Sequence, residues 1–245
     1  MKKSRRIFLH PECNKVKIKA LDTLQYMYTQ YTNTCIEEIL ANRLFDVKFG
    51  NRKHVFTKEA SLTCNIRSCS QTHSIAKVSS WIATSYTNKV KPHITKLYKA
   101  GWITDEFAKS LYVIGKKYIC RPWEFITQDH LDFYWNLLLN SDIAGKQPRV
   151  STCDGMYMTE HTGGITEGEN TEITNIWLKF SHLGPSSIRI QLPLLHNPQI
   201  KSIKDMSKGI RARKDKQNRW YFELLEKVEH KLTGIAKDAP SVGID

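Results

Sequence analysis

The chain opens on alternation. In "RRIFLHPECNKVKIKAL" the apolar residues Ile7, Leu9, Val16, Ile18 and Ala20 alternate with polar neighbours, and Lys15, Lys17 and Lys19 fall on the opposite side. A period of two puts successive side chains on opposite faces of a strand, so the pattern predicts two short strands with a turn or bulge at Pro11. The period then changes. Leu21, Leu24, Tyr28, Tyr31, Cys35 and Ile39 recur at spacings of three and four, with Asp22 as cap and Gln25 at the third position after it. A helix from Asp22 to about Asn42 is the expectation.

The helical period returns at Gln71 and runs through Ile75, Val78, Ile82, Tyr86, Val90, Ile94 and Leu97. Pro92 is expected to kink or split it, because proline lacks an amide N–H and crowds the preceding turn. Thr104, followed by Asp105 and Glu106, starts a shorter helix. Thr127 caps another that carries Leu131, Tyr134, Trp135, Leu138 and Leu139. Residues 21–145 therefore read as one helical module.

After Gly145 and Pro148 the helical period is gone. Gly155, Gly163, Gly164 and Gly168 lie in a Thr- and Glu-rich stretch that reads as a long hairpin loop. Short runs follow: "TNIWLKF", "SSIRIQLPL", "IKSIKD", "GIRARK" and "RWYFELLEKVE". Ile188, Ile190 and Leu192 share one face against Arg189 and Gln191, and Trp220, Phe222 and Leu224 repeat the pattern. Evenly spaced strands with one apolar face predict an α+β fold built on a small β-barrel. Residues 1–20 supply its first strands, residues 146–236 the remainder, and the helical module interrupts it.

Charge narrows the function. The 245 residues hold 37 Lys and Arg against 24 Asp and Glu, a formal net charge of +13, and such an excess attracts polyanions. Nucleic acid is the expected partner class. No window reaches the apolar length of a spanning helix, and Ile7 to Leu9 is too short for a signal-peptide core, so a cytoplasmic or nucleoid location with no membrane partner is expected. The chain has no Walker loop, dinucleotide fingerprint or G-x-S-x-G, and no small-molecule substrate is expected.

Candidate chemistry concentrates in "KSIKDMSKGIRARKDKQNRW". Lys201, Lys204, Lys208, Arg211, Arg213, Lys214, Lys216 and Arg219 have little acid beside them, and on a strand Arg211 and Arg213 share one face while Ile210 and Ala212 share the other. A row of cations fits a phosphate backbone; an edge hairpin kept soluble by its charges is the alternative. Among the aromatic residues of the helical module, Trp81 lies off the apolar stripe and is the candidate for stacking on an unpaired base. Cys64, Cys69 and His73 offer three zinc ligands without an evident fourth, or else small core residues of a helix. Glu160, Glu167, Glu169 and Glu172 read as a solvated loop. The six cysteines form no C-x-x-C pair and read as reduced, buried thiols.

The order of these parts, with "IRIQLPL", "KGIRARKDKQNRWYFELLEKVE" and the closing "VGID", resembles the N-terminal part of TnpB-type transposon-encoded RNA-guided endonucleases, relatives of the type V CRISPR effectors. The specific part of the likeness is Ile188 to Asp245. It implies an oligonucleotide-binding-type barrel (the wedge) interrupted by a helical recognition module, with residues 237–245 beginning a RuvC/RNase H-like nuclease domain. It also implies guide RNA and target DNA as partners, and Asp245 as the first RuvC carboxylate. In a complete nuclease that residue would help hold Mg²⁺ or Mn²⁺. The family's further acids come later in the polypeptide, so the chain is expected to be truncated at this motif and to bind without cutting. A stand-alone basic RNA- or DNA-binding protein is the rival reading.

Overall fold

The computed structural model describes residues 2–41, 65–117, 119, 121–158, 163–167, 174, 176–183, 188–197 and 206–227. A first strand, β1 (Lys2–Phe8), leads into a long helix, α1 (Lys15–Ala41). The helical part continues with α2 (Asn65–Ser85), a π-helical turn (Tyr86–Val90), α3 (Lys91–Lys99), α4 (Asp105–Lys117), α5 (Gln128–Leu139) and the short α6 (Ser141–Ala144). After a 3₁₀ turn (Thr152–Asp154) come β2 (Met156–Met158), β3 (Gly163–Glu167), β4 (Ile176–Leu183), β5 (Ile188–Pro193), β6 (Met206–Lys214) and β7 (Trp220–Lys227). The fold is thus mixed α and β, with the helices gathered between the first strand and the rest.

Among the described residues all strand pairing is antiparallel. One sheet has the order β1-β7-β6-β2 and the other β3-β4-β5. β1 pairs along its whole length with β7, from Lys2 opposite Lys227 to Phe8 opposite Tyr221. The two sheets touch where Leu9 bridges Leu194, and the Leu195 amide donates to the Phe8 carbonyl at 2.9 Å. Their apolar faces share one core: Ile7, Met156, Ile210, Phe222 and Leu224 from the first sheet, Leu178, Ile190 and Leu192 from the second. Each fully buried aliphatic contributes about 1.5–3 kcal/mol, which fixes the strand register because a one-residue slip would expose the whole set.

The segment Lys15 to Ala20 is helical, which corrects the expected second strand. Asn14 explains it: its side-chain oxygen accepts from the Val16 amide at 2.7 Å, and its carbonyl accepts from Lys17 and Ile18. A capped start, continuous with a strongly periodic helix, outweighs the strand preference of two β-branched residues. Val16 consequently points to solvent, 74% exposed. Asp22 is therefore no cap but a residue of the helix interior; it accepts from the Trp220 indole at 2.9 Å and pairs with Lys214 at 2.7 Å, tying α1 to the β6–β7 hairpin.

α1 also joins two cores. Leu21 and Tyr28 pack with the sheets, while Cys35, Ile36, Ile39 and Leu40 pack with α2 to α6. Pro92 does not break the helical run. The π turn just before it, closed by the Lys91 amide on the Tyr86 carbonyl, widens the helix by one residue and admits the proline at the start of α3. The helices expected from Thr104 and Thr127 are present as α4 and α5, and Thr127 forms a capping box with His130. The glycine-rich stretch departs from the expected loop: it contains β2 and β3, with Gly163 to Glu167 paired against Phe180 to Ile176.

Candidate nucleic-acid interface

Alternation along four strands sorts the first sheet into two faces. Ile7, Phe222, Leu224, Ile210, Ala212, Met156 and Met158 face the core. On the other face, Arg6 lies opposite Glu223, Glu223 opposite Arg211, and Arg211 opposite Tyr157, so one row crosses β1, β7, β6 and β2. A second row places Phe8 opposite Tyr221 and Tyr221 opposite Arg213. The Arg6 guanidinium lies 5.1 Å from the centre of the Tyr221 ring, Arg211 4.9 Å from Tyr157, and Arg219, at the hairpin end, 5.2 Å from Phe8. Glu223 is the central acid, 3.5 Å from Arg6 and 3.9 Å from Arg213. Tyr221 is buried, so the rings that keep surface on this face are the exposed Tyr157 and the half-buried Phe8. Arginines beside such rings are suited to hold a phosphate backbone while offering a flat surface to a base or ribose.

Arg211 and Arg213 do share a face, as the alternation predicts, but each is already engaged. Nε and Nη2 of Arg211 both donate to the Asp154 carbonyl, at 3.0 and 2.6 Å, and the same atoms of Arg213 donate to the Cys153 carbonyl at 3.3 and 3.1 Å. They clamp the 3₁₀ turn onto β6. A guanidinium has five N–H donors, so these bonds leave donors over on each side chain. Lys214 pairs with Asp22 and lies 5.3 Å from the Trp220 ring; Arg219 pairs with Asp215 at 2.8 Å. Lys216 is exposed in the turn between β6 and β7, and Lys208 lies in the first half of β6, where the register with β7 shifts.

Trp81 is half-buried and packs against the helical core. Among the described residues of the helical part, the exposed aromatic ones are instead Trp102, at 79%, with Tyr26, Tyr98, Trp123 and Phe125. Lys201, Lys204, Asp245 and Cys64 lie outside the described residues, as do Glu160, Glu169 and Glu172; Glu167 lies in β3. Arg6, Phe8, Tyr157, Tyr221 and Glu223 are the members of the face that the reading of the sequence passes over. The signal was there, since the partners of Trp220, Phe222 and Leu224 in the alternation are Tyr221 and Glu223.

At the β2 edge a polar cluster joins the sheet to the helices. Tyr28 on α1 is buried, its hydroxyl 3.2 Å from Nδ1 of His73 on α2, and the His73 ring meets Tyr157 edge-on at 4.7 Å. Burial, reinforced by Lys77 and Arg211, pushes His73 down to about 4, with Asp154 opposing. Burial likewise raises Tyr28 above the ordinary tyrosine range. Asp154 accepts from Lys77 at 2.8 Å and from the Ser151 amide at 2.8 Å. Burial works against its charge, but these bonds outweigh it and hold its carboxyl down to about 2. His73 thus has its Nδ1 occupied by a tyrosine, Cys69 is buried one helical turn away, and among the described residues no group of three His, Cys, Asp or Glu is arranged to hold a metal ion.

Among the helices of the described residues, none is long and apolar enough to cross a membrane. In comparison with known proteins, the chain matches no family model and no curated protein.

Proposed function

We propose that the chain is a nucleic-acid-binding unit corresponding to the N-terminal portion of a TnpB-type RNA-guided DNA endonuclease, holding guide RNA and target DNA on the arginine and aromatic face of its four-stranded sheet. The observation that carries this is the pairing of β1 with β7 across the helical insert, since it assembles Arg6 and Phe8 with Tyr221, Arg211 and Arg213. It is also the layout the resemblance implies: a β unit opened by the first strand, interrupted by helices, and resumed. We read the two sheets, joined at Leu9 and Leu194 over a common core, as the halves of an oligonucleotide-binding-type barrel. Asp245 takes the place of the first RuvC carboxylate. In two-metal hydrolysis such a carboxylate would act together with further acids around Mg²⁺ or Mn²⁺; the activity proposed here is binding.

The net charge of +13 supports the same reading, because counterion release makes affinity for a polyanion large and dependent on salt. The test is fluorescence anisotropy of a labelled stem-loop RNA with the full chain. Affinity should fall linearly with salt on logarithmic axes. Absence of binding at low salt would remove the proposal. Metal-dependent cleavage of a target DNA by this chain, lost in Asp245→Ala, would show that more than binding resides here.

A further inference from the structure

The π-helical turn builds a second feature, in the helical part and apart from the sheet. A cleft of about 420 Å³ is lined by Tyr86, Lys91, Tyr112, Val113, Lys116 and Lys117. The π turn creates one wall: a hydrogen bond reaching back five residues, from the Lys91 amide to the Tyr86 carbonyl, sets Lys91 one turn beyond Tyr86 on the same side of the helix. α4 supplies the other wall. The Tyr86 ring packs over Gly115, where a Cβ would overlap ring carbons, and its hydroxyl donates to the Tyr112 carbonyl at 3.1 Å. The Tyr112 hydroxyl lies 2.8 Å from Thr95 Oγ1. Both hydroxyls are thereby occupied within the fold, and what the two tyrosines offer the cleft is ring surface.

Burial orders the lining. Tyr86, Tyr112 and Val113 are half-buried and form the inner wall, whereas Lys91, Lys116 and Lys117 are exposed at the mouth. The lining holds three cations and no carboxylate among the described residues. Lys117 also lies 4.7 Å from the ring of Trp123, which is itself 43% exposed, so the aromatic surface continues past the mouth.

A flat apolar wall with ammonium groups at its rim selects a flat group that carries phosphate. The volume is that of a small-ligand pocket and admits a base; an unpaired base is the better fit, because the faces of a paired one are hidden by stacking. We propose that this cleft takes an unpaired nucleotide, its base against Tyr86, Tyr112 and Val113 and its phosphate on the lysines. The inference rests on the reading of the chain as a nucleic-acid-binding protein but assigns a site outside the sheet. π turns are kept in helices at a cost and are frequent at functional sites, which fits this placement. Lys116 and Lys117 in the last turn of α4 also complement the helix dipole, and a purely capping role predicts no ligand effect.

The probe is a short fluorescein-labelled oligothymidylate, titrated by anisotropy with the full chain at low salt. Lys91→Gln combined with Lys116→Gln changes only exposed side chains, and Val113→Phe fills the cleft; each should weaken binding about tenfold, the first by losing phosphate contacts and the second by losing one stacked base. The melting temperature of the lysine variant should fall by a few degrees at most, the size of one lost helix-dipole contribution, so its loss of binding is not unfolding. Displacement by AMP assigns the cleft to a free nucleotide, and persistence of the complex under excess AMP assigns it to a strand. Unchanged oligothymidylate affinity in both variants overturns the proposal, as does variant-sensitive binding to phosphatidylserine vesicles with oligothymidylate affinity untouched. Stem-loop RNA separates the two claims. If the chain binds the stem-loop but the variants leave oligothymidylate binding intact, only the cleft falls; if it binds neither nucleic acid, the functional reading falls with it.

Discussion

Ile7 on β1 lies opposite Phe222 on β7, both buried at the centre of the shared core, although the entire helical part intervenes between them in the chain. This pairing makes the first strand a structural partner of the last described one. Ile7→Ala should therefore destabilise the protein by about 2–5 kcal/mol, the range for an aliphatic residue removed from a packed core. A urea melt followed by circular dichroism measures it; a change within about 0.5 kcal/mol would mean that β1 contributes no core.

The start of α1 gives a second test. Asn14→Ala removes the side-chain acceptor of the Val16 amide and should cost about 1 kcal/mol. Val16→Ala should be close to neutral, because Val16 is exposed on a helix. The opposite ranking, with Val16→Ala the costlier, would restore the strand that the alternation suggested.

That alternation shows how much of the fold the sequence carried. The helical period of residues 71 to 97, the caps at Thr104 and Thr127, and the two-faced β6 were legible because local spacing and final burial agree. Lys15 to Ala20 was not, since a period of two over six residues is outweighed by a cap and a continuing helix. β2 and β3 were hidden because strands of three and five residues among glycines have too few side chains to show a period. The basic hairpin was visible as charge, but its partners were not: bonds from Arg211 and Arg213 to the carbonyls of Asp154 and Cys153 depend on tertiary placement. Trp81 looked free of the stripe and yet packs on the core, since a helix enclosed by several neighbours buries more than one face.

Gly115 gives a prediction whose sign runs against propensity. In a helix interior, alanine is ordinarily favoured over glycine by about 1 kcal/mol. Here the added Cβ would overlap the Tyr86 ring, which the Tyr112 carbonyl and Tyr134 help fix. Gly115→Ala should therefore destabilise the protein, by about 1–3 kcal/mol as in other overpacked sites. A higher melting temperature for the variant would contradict this placement of Tyr86.

His73 sets a pH dependence. Its folded value of about 4 lies below the ordinary 6.5, so between these values the unfolded chain binds a proton that the folded one does not. Stability from this residue is complete above the unfolded value and is lost as pH falls towards 4, by about 3 kcal/mol at most. Asp154, with its depressed carboxyl, loses its contribution only at still lower pH. Chemical denaturation of wild type and His73→Gln from pH 7 to pH 4 should show the wild type falling more steeply. Parallel profiles would place the pH sensitivity elsewhere.

The sheet face is tested most directly through Arg6, whose side chain is 62% exposed and which, unlike Arg211 and Arg213, clamps no turn. The measurement is the salt dependence of stem-loop RNA affinity for wild type and Arg6→Gln, by anisotropy on the full chain. Loss of one phosphate contact should weaken binding at every salt concentration and flatten the logarithmic salt slope by about one unit, while the melting temperature falls only by the small contribution of the exposed Arg6 contacts with Glu223 and Tyr221. An Arg6→Gln protein that binds the RNA with wild-type affinity and an unchanged slope would contradict the assignment of this face to nucleic acid.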